Sequence, residues 1–185
     1  MWTARDFTMR FCERWLAKAA LCDSTSVDGA FDRFFSLFVA FNRLYSDLAA
    51  HSGRHGDRWQ ATTGFLRNVG TAELHRALEA GGGHDLRILA GLIGPNGGFY
   101  VAAQQNADAP DMGRNQRLYA SLRRGSPFQR VKAALDYLYL VRCNMFHGHK
   151  DFDYAQLQII QPSARCLERV VRAGLEKLGA IRPIV

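Results

Sequence analysis

Apolar residues recur at helical spacing along most of this chain, and four stretches hold the pattern long enough to predict long helices. From Thr3 to about Ala20, Phe7, Phe11 and Trp15 repeat every four residues, with Leu16 and Ala19 widening the stripe. A polar turn, Asp23-Ser-Thr-Ser, follows, and Ser26 or Asp28-Gly29 can start the next helix. That second helix, about Asp28 to Ala50, carries Phe31, Phe34, Phe35, Phe38, Phe41, Leu44, Tyr45 and Leu48 on one side. An aromatic stripe at this spacing reads as core. Ser126-Pro127 is a helix start, hydroxyl cap then proline, for a third helix reaching Phe146 or His147, with Gly148 as its stop. Asp151 or Asp153 then caps a fourth helix to about Leu178. There Leu157, Ile160, Ala164, Leu167, Val171, Leu175 and Leu178 keep one register through Pro162, which predicts one kinked helix rather than two.

Between the second and third long helices the pattern weakens. Short helices are expected at 58–69, 71–80 and 84–93, the last two separated by Gly81-Gly-Gly83. Phe99 to Gln104 reads as a short strand or extended segment, and Asn106 to Asn115, with Pro110 and Gly113, as a polar loop. Neither linker nor repeat divides the chain. Residues 1–185 are therefore read as one all-α domain: a four-helix up-and-down bundle with an insertion at about 51–125.

Composition narrows the partners more than the fold. With 48% hydrophobic and 22% charged residues, the chain of 185 can bury a core without disulfide staples. Twenty of its 24 basic residues are arginine, and the formal charge is +7. That surplus favours polyanions, nucleic acid or an anionic membrane surface, although genome composition also enriches arginine. The most apolar stretch, Phe34 to Phe41, is too short to span a bilayer. Arg5, Asp6, Arg10, Glu13 and Arg14 break any apolar leader, so a cytoplasmic protein without membrane association is expected. Cys12, Cys22, Cys143 and Cys166 lack metal-site spacing and read as reduced thiols. His51 and His55 have helical metal-pair spacing, but glycines surround them and no third ligand is in sight. The glycine-rich Gly94-Pro-Asn-Gly-Gly98 lacks the lysine and hydroxyl of a phosphate loop. No metal or cofactor is implied.

One residue breaks the patterning. On a wheel of about 100° per residue from Val131, Leu135, Leu138, Met145 and Phe146 fall within about 60° of the origin, and Arg142 lies among them. A guanidinium there needs a partner or a wet cleft, and such breaks concentrate at functional sites. His147 follows five residues later, where the helix-end carbonyls favour its imidazolium form. Asn144 stands between them with a donor and an acceptor. This trio suits phosphodiester chemistry: the histidine moves protons, and the arginine holds the phosphate and its developing charge. The plain structural alternative pairs Arg142 with a buried carboxylate such as Asp47, or with a second copy of the chain, and leaves His147 capping carbonyls.

The segment Val141-Arg-Cys-Asn-Met-Phe-His-Gly-His-Lys150 resembles the R-x4-H signature of the HEPN superfamily, small all-α domains of prokaryotic defence and toxin–antitoxin systems. The resemblance extends to Gly148 and Asp151-Phe-Asp153 after the motif, and to Phe41-Asn-Arg-Leu-Tyr45 in the early long helix. It covers about 28–50 and 127–178 and leaves 51–125 unmatched. It implies a metal-independent endoribonuclease whose site is shared by two protomers. Arg142 and His147, with Asn144 more weakly, would act on RNA through attack by the ribose 2′-OH. It also implies an antitoxin or nucleotidyltransferase as partner. Cys143 stands where members often have a polar residue, and His149 where nucleotidyltransferase-coupled members often have tyrosine. The first departure favours the alternative of a non-catalytic HEPN-type module that binds RNA, nucleotide or protein. The second argues against modification at that position.

Overall fold

The computed structural model describes residues 3–49, 56–95, 98–101, 110–146 and 154–180. Among them every regular element is a helix: α1 Ala4–Ala20, α2 Val27–Ala49, α3 57–69, α4 Thr71–Glu79, α5 His84–Ile93, α6 Met112–Arg124, α7 Pro127–Phe146 and α8 Tyr154–Ala180. The four long helices thus form where the periodicity predicts them, and α8 continues through Pro162. The ends follow from local chemistry. Thr3 and Asp6 form a reciprocal capping box at α1. Ser26 Oγ accepts from the Gly29 amide at α2. At α7, Ser126 Oγ accepts from the Gln129 amide while Gln129 Oε1 accepts from the Ser126 amide.

The packing revises two expectations. On α1, the face turned inward is Thr8, Cys12 and Ala19, whereas Phe7 is 56% exposed. Phe7, Phe11, Trp15 and Phe35 instead form a chain of rings across α1 and α2, with centroid spacings of 6.2, 6.2 and 6.5 Å. Small residues on the inner face let the two helices approach closely; the Cys12 thiol reaches the Ala40 carbonyl at 3.4 Å. The bulky rings gain contact by lying over the outside of that seam.

The second revision concerns 51–125. The described part of that segment is no appendage to a finished four-helix bundle. α2 lies between α1 and α8, and α7 brings its backbone closest to α6, α4 and the middle of α3. Phe65, Leu66, Leu74, Leu78, Leu89 and Leu122 from the segment belong to the same buried core as Phe34, Phe41, Leu135 and Leu167. This explains why α7 is buried on nearly every side from Val131 to Val141. A helix closing a four-helix bundle would keep one polar face.

Within the segment, α3 contains a π-helical turn, Gln60–Gly64, where the Phe65 amide bonds to the Gln60 carbonyl. Gly70, at φ 113°, joins α3 to α4, and Gly81, Gly82 and Gly83 all have positive φ in the turn before α5. Helix α6 overturns the expected loop at 106–115 over its described part. Asp111 Oδ1 accepts from the Arg114 amide as N-cap, so Gly113 falls in the first turn, where glycine is tolerated. Residues 98–101 carry no regular structure, and 102–104 of the expected extended segment lie outside the described residues. None of the described helices is long and apolar enough to cross a membrane.

Candidate functional site

Arg142, Cys143 and Asn144 occupy the last turn of α7, after the buried run of that helix ends. His147, Gly148, His149 and the expected caps Asp151 and Asp153 lie outside the described residues, as do His51 and His55. The structure therefore gives the geometry of the arginine half of the motif.

The guanidinium of Arg142 is partly buried and sits over two aromatic rings, 5.6 Å from the centroid of Phe38 and 5.9 Å from that of Tyr139. Nη1 lies 4.0 Å from the Cys143 Sγ. The wheel position is thereby explained: the apolar stripe supplies ring faces, and a planar cation is attracted to them while its stem packs as hydrocarbon. Asp47, the carboxylate weighed as a partner for Arg142, is engaged elsewhere. It pairs with Arg43 at 3.2 Å and accepts from the Thr8 hydroxyl.

Beneath this arginine lies a polar cluster that periodicity alone does not reveal. Asp57, the first residue of α3, accepts from the Tyr45 hydroxyl through Oδ1 and from the Tyr139 hydroxyl through Oδ2, the latter at 2.8 Å. Three helices thus meet at one carboxylate. Burial pushes both phenols upward, the bonds to Asp57 push the same way, and the positive charge of Arg142 opposes both. Both hydroxyls stay protonated and keep donating. Tyr45 reads from the sequence as one more core aromatic, and nothing in the pattern singles out Asp57; only the folded chain brings the two together.

Asn144 ties α7 to a neighbouring segment. Its Nδ2 donates to the Val101 carbonyl at 3.1 Å, while the Val101 amide donates to Asn115 Oδ1 at 2.9 Å. Asn144 and Asn115 together fasten the 98–101 segment to α7 and α6.

A second ionic cluster lies further back on α7. Asp136 is 6% exposed and takes Arg58 on Oδ1, at 3.2 Å from Nε and 2.8 Å from Nη2. Lys132 Nζ reaches its other oxygen at 2.7 Å. Burial would raise this carboxyl, but the bonds from Lys132 and Arg58 outweigh it and hold the group below the ordinary carboxylate value. Among the described residues no group of three or more His, Cys, Asp or Glu is placed to hold a metal ion.

No protein-family model, curated protein or solved structure matches the chain.

Proposed function

We propose that the chain is a metal-independent endoribonuclease of HEPN type, acting in defence or as a toxin. The observation that carries this reading is Arg142, a guanidinium held against Phe38 and Tyr139 in the last turn of α7, five residues before His147. Its seat on two ring faces aims the guanidinium by packing, and a cation so placed suits a phosphate clamp. In the reaction, His147 takes the proton of the ribose 2′-OH as that oxygen attacks the adjacent phosphorus. The bond to the 5′ oxygen breaks, and that leaving oxygen receives a proton. The products are a 2′,3′-cyclic phosphate and a 5′-OH end. Arg142 holds the phosphoryl oxygens as their charge builds.

Two copies meeting at the last turn of α7 would bring two Arg142/His147 pairs to one cleft. The middle of α7 is covered by its own chain, so among the described residues its first turn, Lys132, Tyr139 and that last turn are what it offers a second copy. An antitoxin is the partner class that follows from the toxin reading.

Incubation with single-stranded RNA in EDTA is expected to give cyclic-phosphate ends, and the matching DNA to remain uncut. His147→Ala should slow cleavage by roughly 10²–10⁴-fold with little loss of binding. Arg142→Lys should restore Arg142→Ala only in part, because an ammonium lacks the planar fork. Metal-dependent cleavage with 3′-OH ends, or wild-type rates in His147→Ala, would overturn the mechanism. RNA that binds without being cut would favour the second reading, a non-catalytic RNA- or nucleotide-binding module. Cys143 beside the arginine and the engagement of Asn144 with Val101 speak for that reading.

A further inference from the structure

The Arg58–Asp136–Lys132 cluster opens on a cavity of about 460 Å³ between α3, α6 and α7. Its walls carry four cations, Arg58, Arg114, Arg117 and Lys132, against the single carboxylate of Asp136. Both oxygens of Asp136 are already taken by Arg58 and Lys132, so that carboxylate has little left to offer the other two. Arg114 is partly buried, and its Nη2 is shielded from solvent without a hydrogen bond among the described residues. Desolvation lowers the affinity of this guanidinium for its proton, and the nearby charge of Arg58 adds to that; Asp136 and Asp111 act against it. Arg117 stands one turn further along α6 and is exposed. Ser121 adds a hydroxyl to the same wall.

Like charges collected in a concave site are costly to assemble, since each repels the others and partial burial strips their water. An anion with several oxygens reverses both costs, because guanidinium forks match phosphoryl oxygens in pairs. A carboxylate ligand offers two oxygens and one charge, too little for four cations. We propose that this cavity is a phosphate-recognition site that takes two or more phosphoryl groups together, from either a nucleoside polyphosphate or a single-stranded RNA backbone. Arg142 is not among the described residues that line it, so the site stands whether or not the chain cleaves RNA.

The experiment is calorimetric titration of the full chain at low salt with inorganic tripolyphosphate, with ATP and with a short oligouridylate. Tripolyphosphate is expected to bind. Arg114→Gln combined with Arg117→Gln should weaken it by roughly tenfold or more, the loss expected from charge-assisted hydrogen bonds. Arg67→Gln combined with Arg87→Gln, which removes two charges outside the cavity wall, should change it little. Arg58 and Lys132 are left intact, because losing either would expose the buried Asp136 to a lone charge. Should the double variant fail to melt cooperatively, Arg117→Gln alone, on an exposed side chain, and Arg114→Lys, which keeps the charge but loses the fork, give the same ordering with smaller steps. ATP binding without oligouridylate binding assigns the site to a free nucleotide. Oligouridylate that binds and is displaced by tripolyphosphate assigns it to an RNA backbone. Absence of tripolyphosphate binding, or equal weakening in the cavity and control variants, overturns the proposal and leaves only the general field of a +7 chain.

Discussion

Cys12 and Cys166 have no solvent exposure, and burial pushes both thiols up to about 12. Cys22 and Cys143 are partly exposed. In the native state Ellman's reagent should therefore modify only Cys22 and Cys143, and the other two only after denaturation. The same shifts make stability depend on alkaline pH. A thiol that titrates near 12 when folded but near 8.5 when unfolded keeps its proton longer in the native state. Its contribution is complete below about pH 8.5 and is lost as pH rises from there towards 12. Tyr45 and Tyr139 shift in the same direction and deepen the loss at the high end. The urea midpoint should fall steadily across that window, and more shallowly in Cys12→Ala/Cys166→Ala. A flat profile above pH 9 would contradict the buried placement of these thiols.

The fit of α8 against α2 and α3 depends on a single missing side chain. Gly174 lies buried in α8, and a Cβ built there would stand 2.5 Å from Leu44 Cδ2 and 2.8 Å from Phe65 Cζ. Leu44 and Phe65 are themselves without solvent exposure, so neither has room to retreat. Gly174→Ala should destabilise the fold by about 1–3 kcal/mol despite its better helix propensity, as overpacked cores do. Chemical denaturation reads this directly, and a stabilised variant would mean that α8 slides freely over α2 and α3. Helix α5 is tied down by charge as well. Asp85 is buried in its first turn, with Arg165 at 2.7 Å and Arg169 at 2.9 Å, both from α8. Helix α6 shows the opposite regime: its buried positions are Asn115, Leu118 and Leu122, too sparse a stripe to announce a helix from sequence.

At the scale of the molecule, the +7 surplus is partly organised by the fold. Arg33, Arg43, Arg130, Arg165, Arg169 and Arg172 are committed to carboxylates. The cavity between α3, α6 and α7 instead gathers four cations on one acid. If RNA engages this surface, log affinity should fall linearly with log salt, by about 0.7 for each phosphate neutralised. Filter binding between low and physiological salt measures that slope. Loss of about two contacts' worth of slope in Arg114→Gln/Arg117→Gln would tie the dependence to the cavity, whereas a flat dependence would point to a protein or small neutral partner.

The sequence by itself determined the all-α class and the places of the four long helices, because helix caps such as those at Thr3, Ser26 and Ser126 and the apolar periodicity act within a few residues of each other. It also marked Arg142 as a break in pattern, since one guanidinium in an apolar stripe is visible without knowing what faces it. What faces it was decided only by tertiary structure. Phe38, Tyr139, Tyr45 and Asp57 come from three helices, up to 101 positions apart from one another in sequence, and no local rule links them. The inward face of α1 likewise went to small residues rather than to its rings, because close approach to α2 outweighed burial of aromatic area. The described parts of 57–124 became part of the core for a reason of the same kind: α7 is apolar on almost every side, and a helix of that kind must be surrounded by its own chain.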